Sequence, residues 1–515
     1  MKKYAQLLTM GSLLTGLSVA FVSCDKSISE PQLAGYAPAN LDEKAGTWKT
    51  YVLTSPNDVT VAAPVTTASS TYQTELTDLK AKSANLTQEQ QDAVIYWGTG
   101  AVYRWNEIAR ELSARYNIPP ASNADGKYPV PDAANPLADP RFPFANPPYT
   151  SRALAYLSVA QYDALVAAWN YKYKYNRAAP ATVDASIRPS LPTSALPAYP
   201  SEDAVVAAAS YVVLKAMFPG EVPFLDAKLA EHQNSRLWAG MNVQSDLTAG
   251  TDLGNQVAAK IMARAKTDGM SAANNQALTA GMIQAAKDRG LTEVWVSQES
   301  PARPPMLPNF GAVSTWNFDR ATLVSLRPGP PPALNSADYE RDMGELTTIN
   351  KSQSREQARI ANYWSDGAGS YTPPGHWHRT AANAAYDAKY SEVRMARTLA
   401  LVGTTLMDAG IGCWEAKYYY YYPRPQQFGM KTSVGLPNFP SYPSGHSTFS
   451  AAAATVLSTI FPEKAKDFDN EASEASSSRV FGMIHYRFDS NGGLEHGRKI
   501  GAYAVSRAKA DGSGL

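Results

Sequence analysis

The residues best suited to chemistry lie close together in the C-terminal half and combine cations with histidines. Arginine forks and a lysine ammonium can together hold several oxygens of a tetrahedral oxyanion. A glycine at the start of a helix leaves backbone N–H groups open to the same anion. One histidine can attack or ligate the central atom while the other exchanges protons. These groups are provided by Lys417, Arg424, the sequence Ser444-Gly445-His446, Arg479, His485 and Asp489.

The spacing of the last two residues adds a further indication. Asp489 follows His485 by about one helical turn, so its carboxylate can accept from one ring nitrogen and orient the other. Each motif alone is weak, because Ser-Gly-His often merely caps a helix and buried His–Asp pairs are frequently structural. The three motifs in this order predict an oxyanion site.

The chain also resembles itself, because residues of the first half recur 245 or 243 positions later. The matched pairs are Arg152 with Arg397, Asp163 with Asp408, Trp169 with Trp414, Lys172 with Lys417, Tyr173 with Tyr418, Ser201 with Ser444, Arg236 with Arg479 and Asp246 with Asp489. We interpret this pattern as an internal duplication that produces two helical bundles.

The first copy lacks the groups on which the chemistry depends. The changed positions are Ala179 in place of Arg424, Glu202-Asp203 in place of Gly445-His446 and Asn242 in place of His485. Two carboxylates at the start of a helix would repel an oxyanion. We therefore expect the first copy to be a scaffold and the second copy to carry the site.

Composition and periodicity predict the fold class. The 515 residues are 44% apolar and 18% charged with a formal net charge of +1, which is typical of a soluble globular protein and lacks the basic excess of a nucleic-acid binder. Apolar residues recur at helical spacing between proline-rich loops, and no sustained alternation indicates strands. We predict an all-α chain with a degenerate helical bundle over residues 86–300 and a catalytic bundle over residues 301–515.

The N-terminus has the pattern of a bacterial lipoprotein. Lys2 and Lys3 precede an apolar stretch that ends at Ser23-Cys24 and is too short for a membrane span. We predict a signal peptide over residues 1–24, lipidation of Cys24, and a tether or irregular segment over residues 25–85. An ordinary signal peptide with an incidental cysteine is the alternative. The predicted location is the cell envelope, with the protein anchored to a membrane and facing the periplasm or the cell surface.

These motifs resemble the superfamily that unites type-2 phosphatidic acid phosphatases, bacterial class A acid phosphatases and vanadium haloperoxidases. The haloperoxidase branch is the most similar. Residues 439–449 resemble its acid–base histidine block, and residues 485–489 resemble its metal-ligand block. Further similar segments are 327–334, 363–377 and 408–418. The resemblance extends over about residues 95 to 510.

The resemblance implies vanadate as the cofactor and assigns a role to each site residue. Vanadate oxygens would be held by Lys417, Arg424, Ser444, Gly445 and Arg479. His485 would be the axial vanadium ligand, His446 the acid–base residue and Asp489 the support of His485. Asp366 is expected to pair with Arg424, and Phe439 stands at a pocket position where fungal chloroperoxidase-like members carry phenylalanine.

Some features depart from the family pattern or leave alternatives. Pro423 stands where many haloperoxidases have tryptophan, so no halide preference follows. The Tyr418–Tyr422 run can form core or a phenolic rim for an organic substrate. His376 and His378 are predicted to lie in a loop, as rim groups, inert surface or, with Asp366, a weakly supported metal cluster.

Three functions agree with the motifs. The first is a vanadate-dependent haloperoxidase-like oxidoreductase that oxidises a halide or another small nucleophile with hydrogen peroxide. The second is a phosphatase that needs no vanadate, in which His485 attacks a phosphate ester and His446 protonates the leaving alcohol. The third is a non-catalytic oxyanion-binding lipoprotein, which would not need both histidines. We predict the first function, with the second as the alternative.

Overall fold

The computed structural model describes residues 33, 35, 37–132 and 134–515. Within these ranges the chain forms seventeen α-helices and no β-strand, which confirms the all-α prediction. No helix in the described part of the chain is both long enough and apolar enough to cross a membrane. Cys24 and the predicted signal peptide lie outside the described residues.

The described helices divide between the two halves of the chain. Those of the first half are α1 Ser70–Ser83, α2 Gln88–Trp97, α3 Ala101–Tyr116, α4 Pro147–Tyr175, α5 Pro180–Val183, α6 Glu202–Met217, α7 Val222–Trp238, α8 Gln244–Ala265 and α9 Thr279–Asp288. Those of the second half are α10 Arg320–Leu326, α11 Ala337–Ser352, α12 Arg355–Tyr363, α13 Thr372–Asp387, α14 Glu392–Tyr420, α15 Gly445–Ile460, α16 Ala465–Phe481 and α17 Arg487–Lys509.

Four helices of each half correspond in order and length. Helices α4 and α14 have 29 residues each, α6 and α15 have 16 each, α7 and α16 have 17 each, and α8 and α17 have 22 and 23. The two longest helices pack against each other, and apolar side chains of both halves form one continuous core. Neither bundle therefore buries its apolar faces independently of the other.

A buried aspartate on each long helix fastens the chain segment that precedes its bundle. Asp163 on α4 accepts the backbone N–H groups of residues 51–53 at 2.7 to 3.1 Å. Asp408 on α14 accepts those of Trp316 and Asn317 at 2.7 and 3.0 Å. Burial raises the pKa of Asp163 to about 6 and that of Asp408 to about 7. The duplicated aspartates thus have the same structural task in both copies.

Close helix packing recurs as well, and it depends on glycine. On α17, a Cβ at Gly493 or Gly497 would clash with the backbone of α15. On α8, a Cβ at Gly250 or Gly254 would clash in the same way with the backbone of α6. Both glycine pairs are related by the offset of 243, so the backbone approach of these helices is part of the duplicated unit.

The prediction of a tether or irregular segment up to residue 85 is wrong in its last part, where α1 forms. Ser69 caps this helix by accepting the N–H of Tyr72, and Tyr72, Leu76 and Leu79 are buried on one face. Burial of this face supplies stability that the weak helical periodicity does not reveal. Residues 37–69 are irregular apart from two short 3-10 helices and lie along α4.

Candidate active site

The end of α14 turns the chain so that a lysine and an arginine meet. Tyr421 follows the helix in the left-handed region at φ 53°, and its N–H bonds to the carbonyl of Lys417. Such a conformation is strained for a tyrosine and reverses the chain within a few residues. Arg424 thereby returns to the same buried space as Lys417, and both cations face the ring of Phe439 at 5.1 Å.

Lys417 is fully buried and builds the loop before α15. Its ammonium donates to the carbonyl oxygens of Pro440, Ser441 and Pro443 at 2.9, 2.6 and 2.6 Å. Burial lowers the pKa of Lys417 to about 7, assisted by the charge of Arg424. The lysine therefore fixes the chain that leads to Ser444 as well as adding positive charge to the site.

The guanidinium group of Arg424 bonds to the backbone through two of its nitrogens, and its third nitrogen has no partner among the described residues. Its Nε donates to the carbonyl of Phe439 at 2.9 Å, and Nη1 donates to that of Ile484 at 2.7 Å. Its Nη2 is buried and has no hydrogen-bond partner among the described residues. A buried guanidinium N–H without an acceptor is costly, and an oxyanion would supply that acceptor.

Helix α15 begins at the same place, and its first residue, Gly445, has room for one more carbon atom. Ser444 caps the helix by accepting the N–H of Ser447 at 3.4 Å, and its own N–H bonds to the carbonyl of Asp489. A Cβ at Gly445 would meet nothing closer than the ring of Trp414 at 3.9 Å. Packing therefore does not require glycine here. Its missing side chain leaves room for an anion at the positive end of the helix dipole.

His485 and Asp489 form the pair that the sequence predicts. Nδ1 of His485 lies 2.8 Å from Oδ2 of Asp489, which also accepts the Ser441 hydroxyl at 2.5 Å. Burial lowers the pKa of His485 well below its usual range, so the ring is neutral. With the Nδ1 proton directed to the carboxylate, the lone pair of Nε2 is available and faces Arg424 Nη1 at 3.5 Å.

His446 lies at the mouth of this site. It is partly exposed, whereas the cations and His485 are buried. Burial and the charge of Arg479 hold the pKa of His446 well below its usual value, and the backbone carbonyls of Trp364 and Ser365 oppose that shift. Nε2 of His446 has no hydrogen-bond partner among the described residues. A neutral imidazole with an open ring nitrogen is suited to proton exchange with a substrate.

Arg479 is the third cation of the site. The neighbouring Asp366 does not have the partner that the sequence analysis predicts. Its Nη2 donates to the carbonyl of Ala361 at 2.8 Å, and burial lowers its pKa to about 10 against the opposing charge of Asp366. Asp366 was predicted to pair with Arg424, which is wrong. The carboxylate lies 3.2 Å from Nδ1 of His376 instead, because the backbone of Asp366 turns at φ 41° toward α13.

The remaining histidines are part of the folded core. His376 and His378 belong to helix α13 and not to a loop, because Pro373 and Pro374 occupy the first turn, where proline favours a helix. His378 is buried with Nδ1 3.3 Å from the Asn106 amide. In the described chain no group of three potential ligands could hold a metal ion. The weakly supported metal cluster is therefore not formed.

Side chains of the Tyr418–Tyr422 run stabilise the fold. Tyr418, Tyr420 and Tyr422 donate their hydroxyls to carbonyls of Met306, Pro328 and Pro332 at 2.6, 2.6 and 2.8 Å. Alternate tyrosines therefore hold the proline-rich loops against α14, which favours the core alternative over a substrate rim.

One contributor to the site was missed at the sequence level. Ser441 donates to Asp489 and lies 3.4 Å from Nδ1 of His485. The first copy has Ala198 at the matching position. The same comparison of copies that singled out the histidines would have found this serine.

In the first copy, internal ion pairs occupy the equivalent place. Lys172 lies 2.6 Å from Glu202, and Asp203 lies 3.1 Å from Nε2 of His232. Arg177 pairs with Asp246, the counterpart of Asp489. The cations that remain in this copy are neutralised by the chain itself, which supports the scaffold interpretation.

Comparison with known proteins agrees with this architecture. The model of the PAP2 superfamily matches residues 397–508, which include all the cations and both histidines of the site. No curated protein matches the chain by sequence.

Two solved bacterial structures are similar in fold. A vanadium-dependent iodoperoxidase matches with a TM-score of 0.55 and 23% identity, over 70% of this chain and 91% of its own. A holo-type vanadium-dependent chloroperoxidase matches with a TM-score of 0.50 and 14% identity, over 76% of this chain and 99% of its own. Residues 397–508 thus match the PAP2 superfamily, within a chain whose all-α fold is similar to that of two vanadium-dependent haloperoxidases.

Proposed function

We propose that this protein is a vanadate-dependent haloperoxidase-like enzyme that oxidises a halide or another small nucleophile with hydrogen peroxide. The observation that carries the proposal is the buried cationic site with open donors beside two neutral histidines. The similarity in fold to an iodoperoxidase and a chloroperoxidase supports the same assignment.

The side chains present fit a bound vanadate. The buried Nη2 of Arg424 lacks an acceptor, and a Cβ at Gly445, at the start of a helix, would meet no atom closer than 3.9 Å. Nε2 of His485, whose only contact is the long one with Arg424 Nη1 at 3.5 Å among the described residues, keeps a lone pair that could ligate a metal. Lys417, Arg424, Ser444, Gly445 and Arg479 would hold the oxygens. Vanadate, when bound, supplies the Lewis acid that activates hydrogen peroxide.

The protein residues have separate tasks in this reaction. Asp489 and Ser441 keep the Nδ1 proton of His485 in place, so that Nε2 stays unprotonated. His446 would exchange a proton with peroxide, since its buried Nε2 has no hydrogen-bond partner among the described residues.

The burial of the site favours small substrates over phosphate esters. Lys417 and Arg424 are fully buried, Arg479 and His485 are at most 2% exposed, and Phe439 covers the cations. A bulky leaving group would have to displace this cover, whereas peroxide and halide are small enough to need less space. The phosphatase remains the competing candidate because the same cations and histidines would serve it.

One preparation can separate the two activities. We expect vanadate-loaded protein to oxidise iodide or bromide with hydrogen peroxide and to hydrolyse p-nitrophenyl phosphate poorly with or without vanadate. His485→Ala should abolish halide oxidation, and Asn242→Ala, at the matching position of the first copy, should retain it. Efficient ester hydrolysis by vanadate-free protein, without halide oxidation after loading, would replace this proposal with the phosphatase.

We also propose that the protein is exported and anchored through a lipid on Cys24. The basic residues, the apolar stretch and the Ser23-Cys24 junction support this location. The anchor would hold an otherwise globular enzyme at the cell envelope, where peroxide and halide can reach it.

A further inference from the structure

A cavity of about 110 Å³ lies in the first bundle, where the start of α6 faces the start of α14. It occupies the region that corresponds to the oxyanion site of the second bundle. Its polar lining is provided by Glu202, Asp203, Arg236, Ser391 and Glu392. Its apolar lining includes Leu41, Trp97, Trp169, Leu191 and Met241.

Most charges around the cavity are already paired. Glu202 lies 2.6 Å from the ammonium of Lys172. Asp203 lies 3.1 Å from Nε2 of His232 and 3.6 Å from Nη1 of Arg236. Burial lowers the pKa of His232, so that ring adds no positive charge at neutral pH. These contacts leave Glu392 as the lining group without a cationic partner in the described chain.

Glu392 is a half-buried carboxylate in surroundings that disfavour its charged form. Its two oxygens accept the backbone N–H groups of Ala101 and Val102 at 3.1 and 2.9 Å. Burial raises its pKa to about 8, and the charges of Asp203 and Glu202 raise it further. A cation in the cavity would stabilise the ionised form of Glu392.

Arg236 supplies an independent sign of a missing ligand. The side chain is 5% exposed and its Nε donates to Ser235 at 3.1 Å. Its Nη2 is buried and has no hydrogen-bond partner among the described residues. Arg236 lines the cavity, so an oxygen of a bound molecule could satisfy this donor.

We propose that this cavity binds a small organic ammonium ion that also carries a hydroxyl or carbonyl oxygen. The ammonium group would lie by Glu392, the lining carboxyl group without a cationic partner in the described chain. The oxygen would accept from Nη2 of Arg236. A dry cavity of about 150 Å³ holds benzene, so this one suits a ligand of about four or five non-hydrogen atoms.

The proposed ligand differs in charge from that of the second bundle. Glu202 and Asp203 stand where Gly445 and His446 leave room for an anion. The first bundle would thus have exchanged an oxyanion site for an ammonium site while it kept Arg236 at the position of Arg479. This binding is independent of the proposed oxidation and can be measured without vanadate, halide or peroxide.

Isothermal titration of the full chain with ethanolamine tests the proposal. At pH 7 Glu392 is largely protonated, so binding should release a proton, which buffers of different ionisation enthalpy detect. At pH 9 the carboxyl is largely ionised before binding, and the release should fall. Glu392→Gln should weaken binding by at least about 10-fold, because a hydrogen bond to a charged group contributes roughly 1.5–3 kcal/mol, and should abolish proton release.

A matched pair of variants covers the case in which Glu392→Gln fails to fold. Arg236→Lys should weaken ethanolamine binding, whereas Arg479→Lys, at the duplicated position, should leave it unchanged. O-phosphoethanolamine should not bind, because its phosphate would meet Glu202 and Asp203. The proposal is overturned if millimolar ethanolamine gives neither heat nor a shift in Tm, or if Arg236→Lys and Arg479→Lys bind equally well. Equal binding of O-phosphoethanolamine would instead indicate a phosphorylated headgroup and contradict the free amine.

Discussion

Lys417 and Arg424 share one buried acidic neighbour, Asp489, and Arg479 has Asp366 nearby. Burial lowers the pKa of Lys417 to about 7 and that of each arginine to about 10. A bound oxyanion would reverse these shifts, because opposite charge favours the charged form of each cation. The charged forms of these buried cations are therefore disfavoured in the free protein and would be stabilised by a bound anion.

The lowered pKa of Lys417 predicts that the affinity for an anion depends on pH. In the free protein Lys417 loses its proton as the pH rises through about 7, and a bound anion restores it. We expect the Kd for tungstate, whose charge is constant in this range, to increase between pH 7 and 9 with uptake of about one proton. Lys417→Gln should weaken binding and reduce this dependence to the part contributed by Asp489, whose pKa burial raises to about 7, whereas Lys172→Gln should keep it in full. A Kd that does not change with pH in the wild-type protein would contradict the assignment.

A separate prediction concerns the side chain of His446. Because His446 is not among the residues proposed to hold the vanadate oxygens or to ligate the metal, His446→Ala should retain vanadate binding. Turnover should fall by about 10²- to 10⁴-fold, the usual contribution of general acid–base catalysis. Steady-state halide oxidation together with a vanadate titration of the same variant measures both quantities. Loss of vanadate binding at unchanged stability would show instead that His446 holds the anion.

Among the elements, the pair of helices α15 and α17 sets the geometry of the site. Helix α15 begins with Ser444 as its cap, and α17 contains Asp489 in its first turn. Gly493 and Gly497 let the two backbones approach, and the Ser444 N–H bonds directly to the Asp489 carbonyl. The distance between the helix start and the His485–Asp489 pair therefore depends on two missing side chains.

Replacing one glycine in each copy tests this dependence. Gly497→Ala would place a methyl group against the carbonyl of Thr448, and Gly254→Ala would do the same against that of Val205. Each should lower the free energy of unfolding by about 1–3 kcal/mol, the usual cost of overpacking. We expect only Gly497→Ala to reduce vanadate affinity and turnover. Equal loss of activity in both variants, measured beside their urea unfolding curves, would refute a specific role of the α15–α17 spacing.

The sequence predicts some elements better than others for physical reasons. The start of α15 was predicted because Ser444-Gly445 is a local capping signal. The His485–Asp489 pair was predicted from the spacing of one helical turn, but His485 lies two residues before α17, and Asp489 in the first turn of that helix reaches back to it. The partner of Asp366 was not predictable, because it depends on a left-handed backbone angle at that residue. Helix α1 was missed because its stability comes from contacts with α7 and α8, which a local pattern does not contain.

On the scale of the whole molecule, two bundles share one core but differ in charge. The duplicated aspartates Asp163 and Asp408 and the glycine pairs maintain the same frame in both halves. Equivalent positions of the two copies have equivalent structural tasks, so the positions that differ are those expected to concern chemistry. Comparison of the two copies within one sequence therefore indicated which half carries the candidate site.

We expect one oxyanion per chain. Lys172 and Arg236 lie beside Glu202 and Asp203, which would repel vanadate. Titration followed by metal analysis should give a single equivalent of tightly bound vanadate, and Lys172→Ala should leave its affinity unchanged as long as the variant is folded. A second equivalent of comparable affinity would contradict the scaffold role.

The anchor predicts a further property of the intact protein. Mass spectrometry of the native protein should find an acylated Cys24 at the N-terminus, and Cys24→Ala should move the protein to the soluble fraction with unchanged activity. Cleavage at another position without an acyl mass would falsify the lipoprotein assignment.

The acids of the first bundle also restrict how the two copies can evolve. Once Glu202 and Asp203 are paired with Lys172 and Arg236, loss of either cation leaves a partly buried charge alone, at a cost of several kcal/mol. Return to an anion site would require both acids to leave while a histidine and an arginine arrive elsewhere. A single substitution at any of these four positions would therefore leave a charge with fewer partners, and we expect the ion pairs of the first bundle to oppose its return to an anion site.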